Sequence, residues 1–508
     1  MRKKLKMIIL FMLTMVLFLS CGKKDNQIQP EKNTITIAQG ADAKSLDPHA
    51  TNDQPSSRVI CQLYDRLVEQ DNNMNISPYL AESFEQPDEL TTIFKLRKGV
   101  KFHNGEELKA SDVKFSLERM KASPQVNHII EAVSEIEIVD DYTVVIRTEK
   151  PFGALLNHLS HTAASVLNEK YVMEAGESYN QKPIGTGAYK FVSWQSGDKI
   201  IFEANEQYFL SAPKVKNLII KNIPENATRA IALETGEIDI AYDIDIVDKE
   251  RIRNNEKLVL LESSSFSMTY IGFNCNKTPL DNIKLRQAIC YAIDIAPILD
   301  VVWKGSASKA NSLIGPNIFG YNKDAKIWNK DIEKAKELLK EAGYPDGIKV
   351  KIWLNDNQAR KDIAVIIQDQ IKEIGVDLAL EMVEWGAFLD QTSRGDHEMY
   401  ILGWSTVTGD ADYGLYPLLH TSSHGGSGNR SFYSNSEVDD LLDRAKHSID
   451  QEERKKFYAR VQEIAQEEVP TLPIAYSNMS VGLQKNIEGF ILNFAGHHKI
   501  FGTSFKKE

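Results

Sequence analysis

Cysteine is scarce in this chain, positive charge is outnumbered, and long hydrophobic runs are missing. The 508 residues hold four cysteines, Cys21, Cys61, Cys275 and Cys290. So few exclude a disulfide scaffold and a cysteine-rich zinc or iron–sulfur domain. Sixty Lys and Arg face 71 Asp and Glu, a formal charge of −11. A nucleic-acid partner needs a basic face for phosphates and is not expected. No stretch approaches the ~18 consecutive apolar residues that mark a transmembrane helix. Catalytic signatures are also missing. There is no G-x-S-x-G elbow, no H-E-x-x-H pair and no phosphate-binding loop with its lysine. Neither enzyme activity nor a cofactor is expected.

What is present is ordinary globular material. Hydrophobic residues make up 42% and charged residues 26%, enough to bury real cores. At about 150 residues per domain the length suggests two to four domains. The first residues are different. Arg2, Lys3, Lys4 and Lys6 precede an apolar stretch from Met7 to Leu19, broken only by Thr14. It is too short to span a bilayer and fits a signal-peptide core. Phe18-Leu19-Ser20-Cys21-Gly22 follows and resembles the lipobox of bacterial lipoproteins, with Phe18 where leucine is usual. The resemblance implies cleavage after Ser20 and a diacylglycerol on Cys21. Two acyl chains give stable membrane anchoring. Cleavage would remove four basic residues and take the charge from −11 to −15. Residues 21–33 are polar and read as a flexible linker behind the lipid. The other three cysteines are an odd number. Cys61 and Cys290 lie in apolar helical contexts and read as buried thiols. A Cys275–Cys290 bridge is the alternative in an oxidising compartment.

Along the rest of the chain, Thr34–Ala38 and Thr92–Leu96 alternate and predict strands. A helix is expected from Ser111 through Met120, and two strands in 135–148 around Asp140-Asp141. The second half is more regular. Strands are expected at 349–354, 376–383 and 398–404, with helices at 359–373 and 385–394 between them. This βαβ spacing predicts a mainly parallel, covered sheet. Asn329 or Asp331 caps the helix that Gly343 and Pro345 stop. The helix 451–468 ends before Pro470. Ligands sit beyond the carboxyl ends of strands in such sheets. That points to the loop 403–413, where Trp404, Ser405, Asp410, Asp412 and Tyr413 combine aromatic, hydroxyl and carboxylate groups without predicted structure of their own.

Several segments, in order, are similar to the solute-binding proteins of peptide-type ABC importers, the peptide, nickel and glutathione family. They are Ser45-Leu46-Asp47-Pro48-His49, Tyr79–Phe84, Phe94–Arg97, Val100–Gly105 and Ala110–Val113. Pro183-Ile184-Gly185-Thr186-Gly187-Ala188-Tyr189, Arg286-Gln287-Ala288 and Tyr433–Asp439 continue the series. The resemblance implies a two-lobe α/β fold of the class II periplasmic-binding-protein type, with an extra subdomain in the first lobe. Lobe I would cover 34–270, with the subdomain at about 55–182. Lobe II would cover 271–482, and 483–508 would return to lobe I. It also implies a monomer that encloses its ligand between the lobes and docks to ABC permease subunits from the extracytoplasmic face of the membrane.

In the family's peptide binders an aspartate three residues after the strand-end Trp grips the ligand ammonium; here Val407 stands there. Asp410 is the first candidate replacement and Asp412 the second, since either carboxylate can accept charge-assisted hydrogen bonds. The Trp404-Ser405 and Thr408–Asp412 pattern resembles the glutathione-binding branch more than the dipeptide binders. Arg430 and Arg360 are candidate partners for a ligand carboxylate, because a guanidinium matches a carboxylate fork. Trp404 would pack on ligand, and the backbone at Gly185, Thr186 and Gly187 would meet its polar atoms. The expected ligand is a short peptide, di- or oligopeptide or glutathione-like. The alternative is nickel, a metal chelate or haem on the same fold. For metal, only His420 with His424 and His497-His498 are suggestive, and the glycines at 425–428 argue against a helix there.

Overall fold

The computed structural model describes residues 33–72 and 74–506. The leader, Cys21 and all but the end of the linker lie outside the described residues.

An eleven-stranded mixed sheet organises the body Thr34–Glu508. Two long strands, Leu258–Phe273 and Thr471–Gln484, run antiparallel through its middle. On one side lie Met399–Ser405, Ile348–Asn355 and Val376–Val383. On the other lie Ile240–Tyr242, Thr34–Gln39, Asn217–Asn222, Lys199–Ala204 and Tyr189–Gln195, and the short strand Ala307–Lys309 pairs with the long strand Thr471–Gln484. The pairing of the long strands breaks register between Ser264 and Met268. Before the break, 258–264 pairs with 478–484 in one half; after it, 268–272 pairs with 471–476 in the other. The sheet thus has two halves, here called lobes, and these strands join them.

The parallel expectation holds for 348–355 with 376–383 and 399–405. It fails where 399–405 meets the long strand, which runs antiparallel. Alternation placed these strands because one face packs inward: Ile352, Leu354, Met399 and Ile401 share a buried core with Ile363, Ile367 and Ile371 of the helix Gln358–Lys372. Asp331 is the cap of Ile332–Glu341, accepting from the Lys334 amide. A second, four-stranded antiparallel sheet orders Ala81–Asp88, Thr91–Leu96, Thr143–Thr148 and Val133–Asp140. The helix Ala110–Lys121 packs beside it and shares one core with residues 268–465.

The loop expected over 403–413 is shorter than read. Ala411–Leu419 is a helix, capped by Asp410, whose side chain accepts from the Asp412 amide at 2.9 Å. All nine of its residues are buried and it carries Gly414 and Pro417, so no polar face marked its period. Cys61, Cys275 and Cys290 are free thiols. Burial pushes the Cys61 thiol up to about 12 and Cys275 to about 11, which makes both poor nucleophiles at neutral pH.

Candidate functional site

A cavity of about 440 Å³ opens between the lobes, within the range of about 300–1,000 Å³ usual for small-molecule sites. One wall comes from residues 40–58, 224–249, 477–480 and 496–497; the other from 267–269, 302–306, 355–363, 385–389, 402–407, Tyr413 and Arg430. The walls touch. Asn52 Nδ2 donates to the Tyr413 hydroxyl at 3.1 Å, and His161 Nε2 lies 2.9 Å from it. Trp385 Nε1 donates to Asp53 at 3.2 Å, and Ser427 to Gln125 at 2.9 Å. Lys44 pairs with Asp390, and Lys446 with Glu131 at 3.0 Å. These contacts define a closed arrangement around the cavity.

Trp404 and Ser405 line it, as the strand-end argument expects. Trp404 is fixed by its indole N–H, which donates to the Tyr413 carbonyl at 3.1 Å, and by the Tyr413 ring 5.2 Å away. Ser405 Oγ contacts Ser267 Oγ across the antiparallel pair. Trp303 and Trp385 stand in the same cavity. Three of the chain's six tryptophans therefore face one space. The sequence pattern marks only Trp404, at a strand end; Trp303 and Trp385 reach the cavity from separate segments that no local motif links.

Arg360 and Arg430 also line the cavity. Arg360 rises from the first turn of Gln358–Lys372, donates Nη1 to Asn355 Oδ1, and lies 5.5 Å over the Trp385 ring. Desolvation holds its guanidinium down at about 10, still charged at neutral pH. Arg430 is buried and donates Nη1 to the Leu389 carbonyl at 2.6 Å and to Thr392 Oγ1 at 2.7 Å. Burial lowers it as well. Among the described residues neither guanidinium makes an ion pair. Tyr270 is fully buried beside Tyr400, and its hydroxyl feels both guanidinium charges.

The two acidic candidates are placed elsewhere. Asp410 does not line the cavity; it accepts from Arg454 Nη2 at 2.7 Å and caps its own helix. Burial raises its carboxyl above the ordinary value, with Arg454 opposing. Asp412, 2% exposed, lies 3.3 Å from His158 Nε2. Burial pulls it upward, but His158, Lys446 and Arg454 outweigh that and hold it low. Both carboxylates are paired inside the protein and neither lines the cavity, where an ammonium grip would have to stand. The Gly185-Thr186-Gly187 turn is likewise outside the cavity. A Cβ on Gly185 would meet the Leu63 carbonyl at 2.0 Å, and one on Gly187 the Leu63 carbonyl carbon at 2.4 Å. Thr186 Oγ1 donates to Asp65 at 3.0 Å. These glycines serve the close approach of two backbones.

The carboxylates that do line the cavity are engaged too. Asp53 caps Gln54–Leu63 and accepts from Trp385. Asp243 takes both Arg58 nitrogens, at 2.7 and 2.9 Å. Asp245 caps Ile246–Arg253 and accepts from Asn226 at 2.6 Å.

Residues 75–426 match the family described as bacterial extracellular solute-binding proteins, family 5 Middle. Heme-binding protein A of Haemophilus influenzae is 33% identical over 475 residues, 87% of each chain. The glutathione-binding protein GsiB of Escherichia coli O1:K1 is 32% identical over 470 residues, 90% of this chain and 91% of that one. The ABC transporter-associated periplasmic binding protein DppA of Helicobacter pylori, solved in complex with peptide STSA, superposes with a TM-score of 0.88 at 32% identity, covering 93% of this chain and 98% of that one.

Proposed function

This chain belongs to the family 5 bacterial extracellular solute-binding proteins, and from that premise we propose that it is the substrate-binding lipoprotein of an ABC importer for short peptides. Cys21 anchors it by lipid to the extracytoplasmic face of the membrane. The cavity between the lobes captures a di- or oligopeptide or a glutathione-like tripeptide, and the closed protein delivers it to the permease as a monomer. The reading is supported by relatives named for glutathione and by a structural neighbour solved with a tetrapeptide. The single observation that carries it is an interlobe cavity combining three tryptophans with two guanidinium groups, Arg360 and Arg430, that make no ion pair among the described residues. An aromatic wall suits peptide side chains, and an unpaired guanidinium suits a terminal carboxylate.

We put the hinge at Ser264–Met268 and Tyr476–Asn478, where the long strands change register. Lobe I is then 34 to about 264 with the C-terminal segment from 478, and lobe II is what lies between. The subdomain is built on the four-stranded sheet of residues 81–148. Ligand touching both walls favours closure, and the shift is bounded by the difference in its affinity for the two states.

Calorimetry of the mature protein against di- to pentapeptides, reduced and oxidised glutathione, haem and nickel tests the reading. Peptide or glutathione binding at micromolar Kd or tighter is expected. Tight haem or nickel binding with no peptide response would replace peptide by that ligand.

A further inference from the structure

We infer that the solute is a dicarboxylate, with one carboxylate on Arg360 and the second on Arg430, and that its amino group meets no carboxylate of the protein. This rests on the reading of the interlobe cavity as the solute site.

The argument is a comparison of partners. On the first wall, Arg58 is taken by Asp243, Lys249 by Glu262 at 2.9 Å, and Arg229 by the carbonyls of Ile223, Tyr242 and Asp243. On the second wall Arg360 has one amide oxygen, and Arg430 one carbonyl and one hydroxyl. Each spends a single nitrogen, Nη1, in those bonds. A guanidinium carries five N–H groups in a fork. The rest are left for something that binds. Holding a desolvated charge without a counter-charge is costly, and a bidentate carboxylate relieves that cost better than a neutral group does.

A third group points the same way. Tyr270 lies on the long strand next to Leu402, one position below the cavity floor formed by Met268, Thr269 and Gly403. Its ring packs 5.7 Å from that of Tyr400, and its hydroxyl feels both guanidinium charges. Two guanidinium groups that make no ion pair among the described residues, both close enough to act on Tyr270, leave room for two carboxylates there. The acids of the cavity are already capping helices or pairing with Arg58, so nothing equivalent awaits an ammonium. A γ-glutamyl tripeptide or a glutamate-containing peptide has the required chemistry. A peptide with uncharged side chains has only half of it.

Matched pairs decide the matter. The mature protein is titrated with S-methylglutathione and with its glycine monoamide, then with Ala-Glu-Ala and Ala-Gln-Ala, and with N-acetylglutamate as a dicarboxylate outside the tripeptide class. The dicarboxylate of each pair should bind at least tenfold more tightly. In Arg360→Gln and Arg430→Gln the ratio should fall toward one, while the monoamide loses less. If Arg430→Gln does not fold, Arg360→Gln alone decides. Equal affinity within both pairs would overturn the dicarboxylate inference and leave the peptide reading standing, since one carboxylate would then bridge both arginines. N-acetylglutamate binding without either tripeptide would uphold the inference and overturn the peptide reading. Binding of none of the probes would overturn both.

Discussion

Two charged groups of residues in the second lobe look alike in the sequence and behave oppositely in the fold. Asp410 and Asp412 sit beside the strand-end Trp404, where a ligand ammonium would be met. Both are neutralised internally, by Arg454 and His158. Arg360 and Arg430 are scattered, one opening a helix and one in a loop, yet both reach the cavity and neither makes an ion pair among the described residues. A charge that the fold has already compensated holds structure; one left uncompensated at a cavity is available to a ligand. Proximity to a motif does not tell the two apart. The partner does, and the partner of Asp410 lies 44 residues on, in the helix Gln451–Glu468.

The sharpest way to break this comparison is Asp410→Ala. It strands a buried Arg454, and removing one side of a buried pair costs about 3–5 kcal/mol. Urea unfolding should show that loss, while the folded fraction binds peptide almost as before. A tenfold affinity loss at unchanged stability would restore Asp410 to the site. Arg360→Ala should do the reverse. A hydrogen bond to a charged group contributes about 1.5–3 kcal/mol, so affinity falls by roughly tenfold or more and the melting temperature hardly moves. A drop in melting temperature with intact affinity would make Arg360 structural. Gly185→Ala comes next. Its methyl has nowhere to go against Leu63 and Tyr64, and overpacking costs about 1–3 kcal/mol. Stability should suffer and the Kd of folded protein should not.

Proton concentration separates the two groups more gently. His128 and His161 surround Tyr413, on the Asp412 side. Burial lowers His128 from 6.5 to about 3 and His161 well below its ordinary value. His128 faces His158, Lys446 and Asp412; His161 faces His497, His128, His158 and Arg66. Both are neutral when folded and take up protons near pH 6.5 when unfolded. Their contribution is therefore complete above about pH 6.5 and is lost as pH falls below it, for His128 toward about 3. Each pH unit in that window costs about 1.4 kcal/mol per histidine. Arg360, at about 10, keeps its charge throughout. Unfolding free energy measured from pH 8 to 5 should drop below 6.5, while the affinity advantage of a dicarboxylate over its monoamide stays level.

Most of the second lobe was legible in the sequence because its strands bury one face and expose the other, as at 348–355 and 376–383. The helix 411–419 was not, because it is buried on every side and has no polar face to set a period. Trp404 and Ser405 were legible from the strand end. The first wall was not: residues 40–58, 224–249, 477–480 and 496–497 converge only through the sheet order, which no local pattern encodes. The glycine turn at 185–187 was misread for the same reason. Its glycines admit the Leu63 backbone, a neighbour more than a hundred residues away.

The central claim is that the cavity presents uncompensated positive charge to a carboxylate-bearing solute. Mass spectrometry of the small molecule released from protein purified without refolding tests it most directly. The account predicts a peptide or peptide-like molecule with two carboxylates, lost from Arg360→Gln preparations. A neutral or cationic solute, retained equally by wild type and Arg360→Gln, would contradict it.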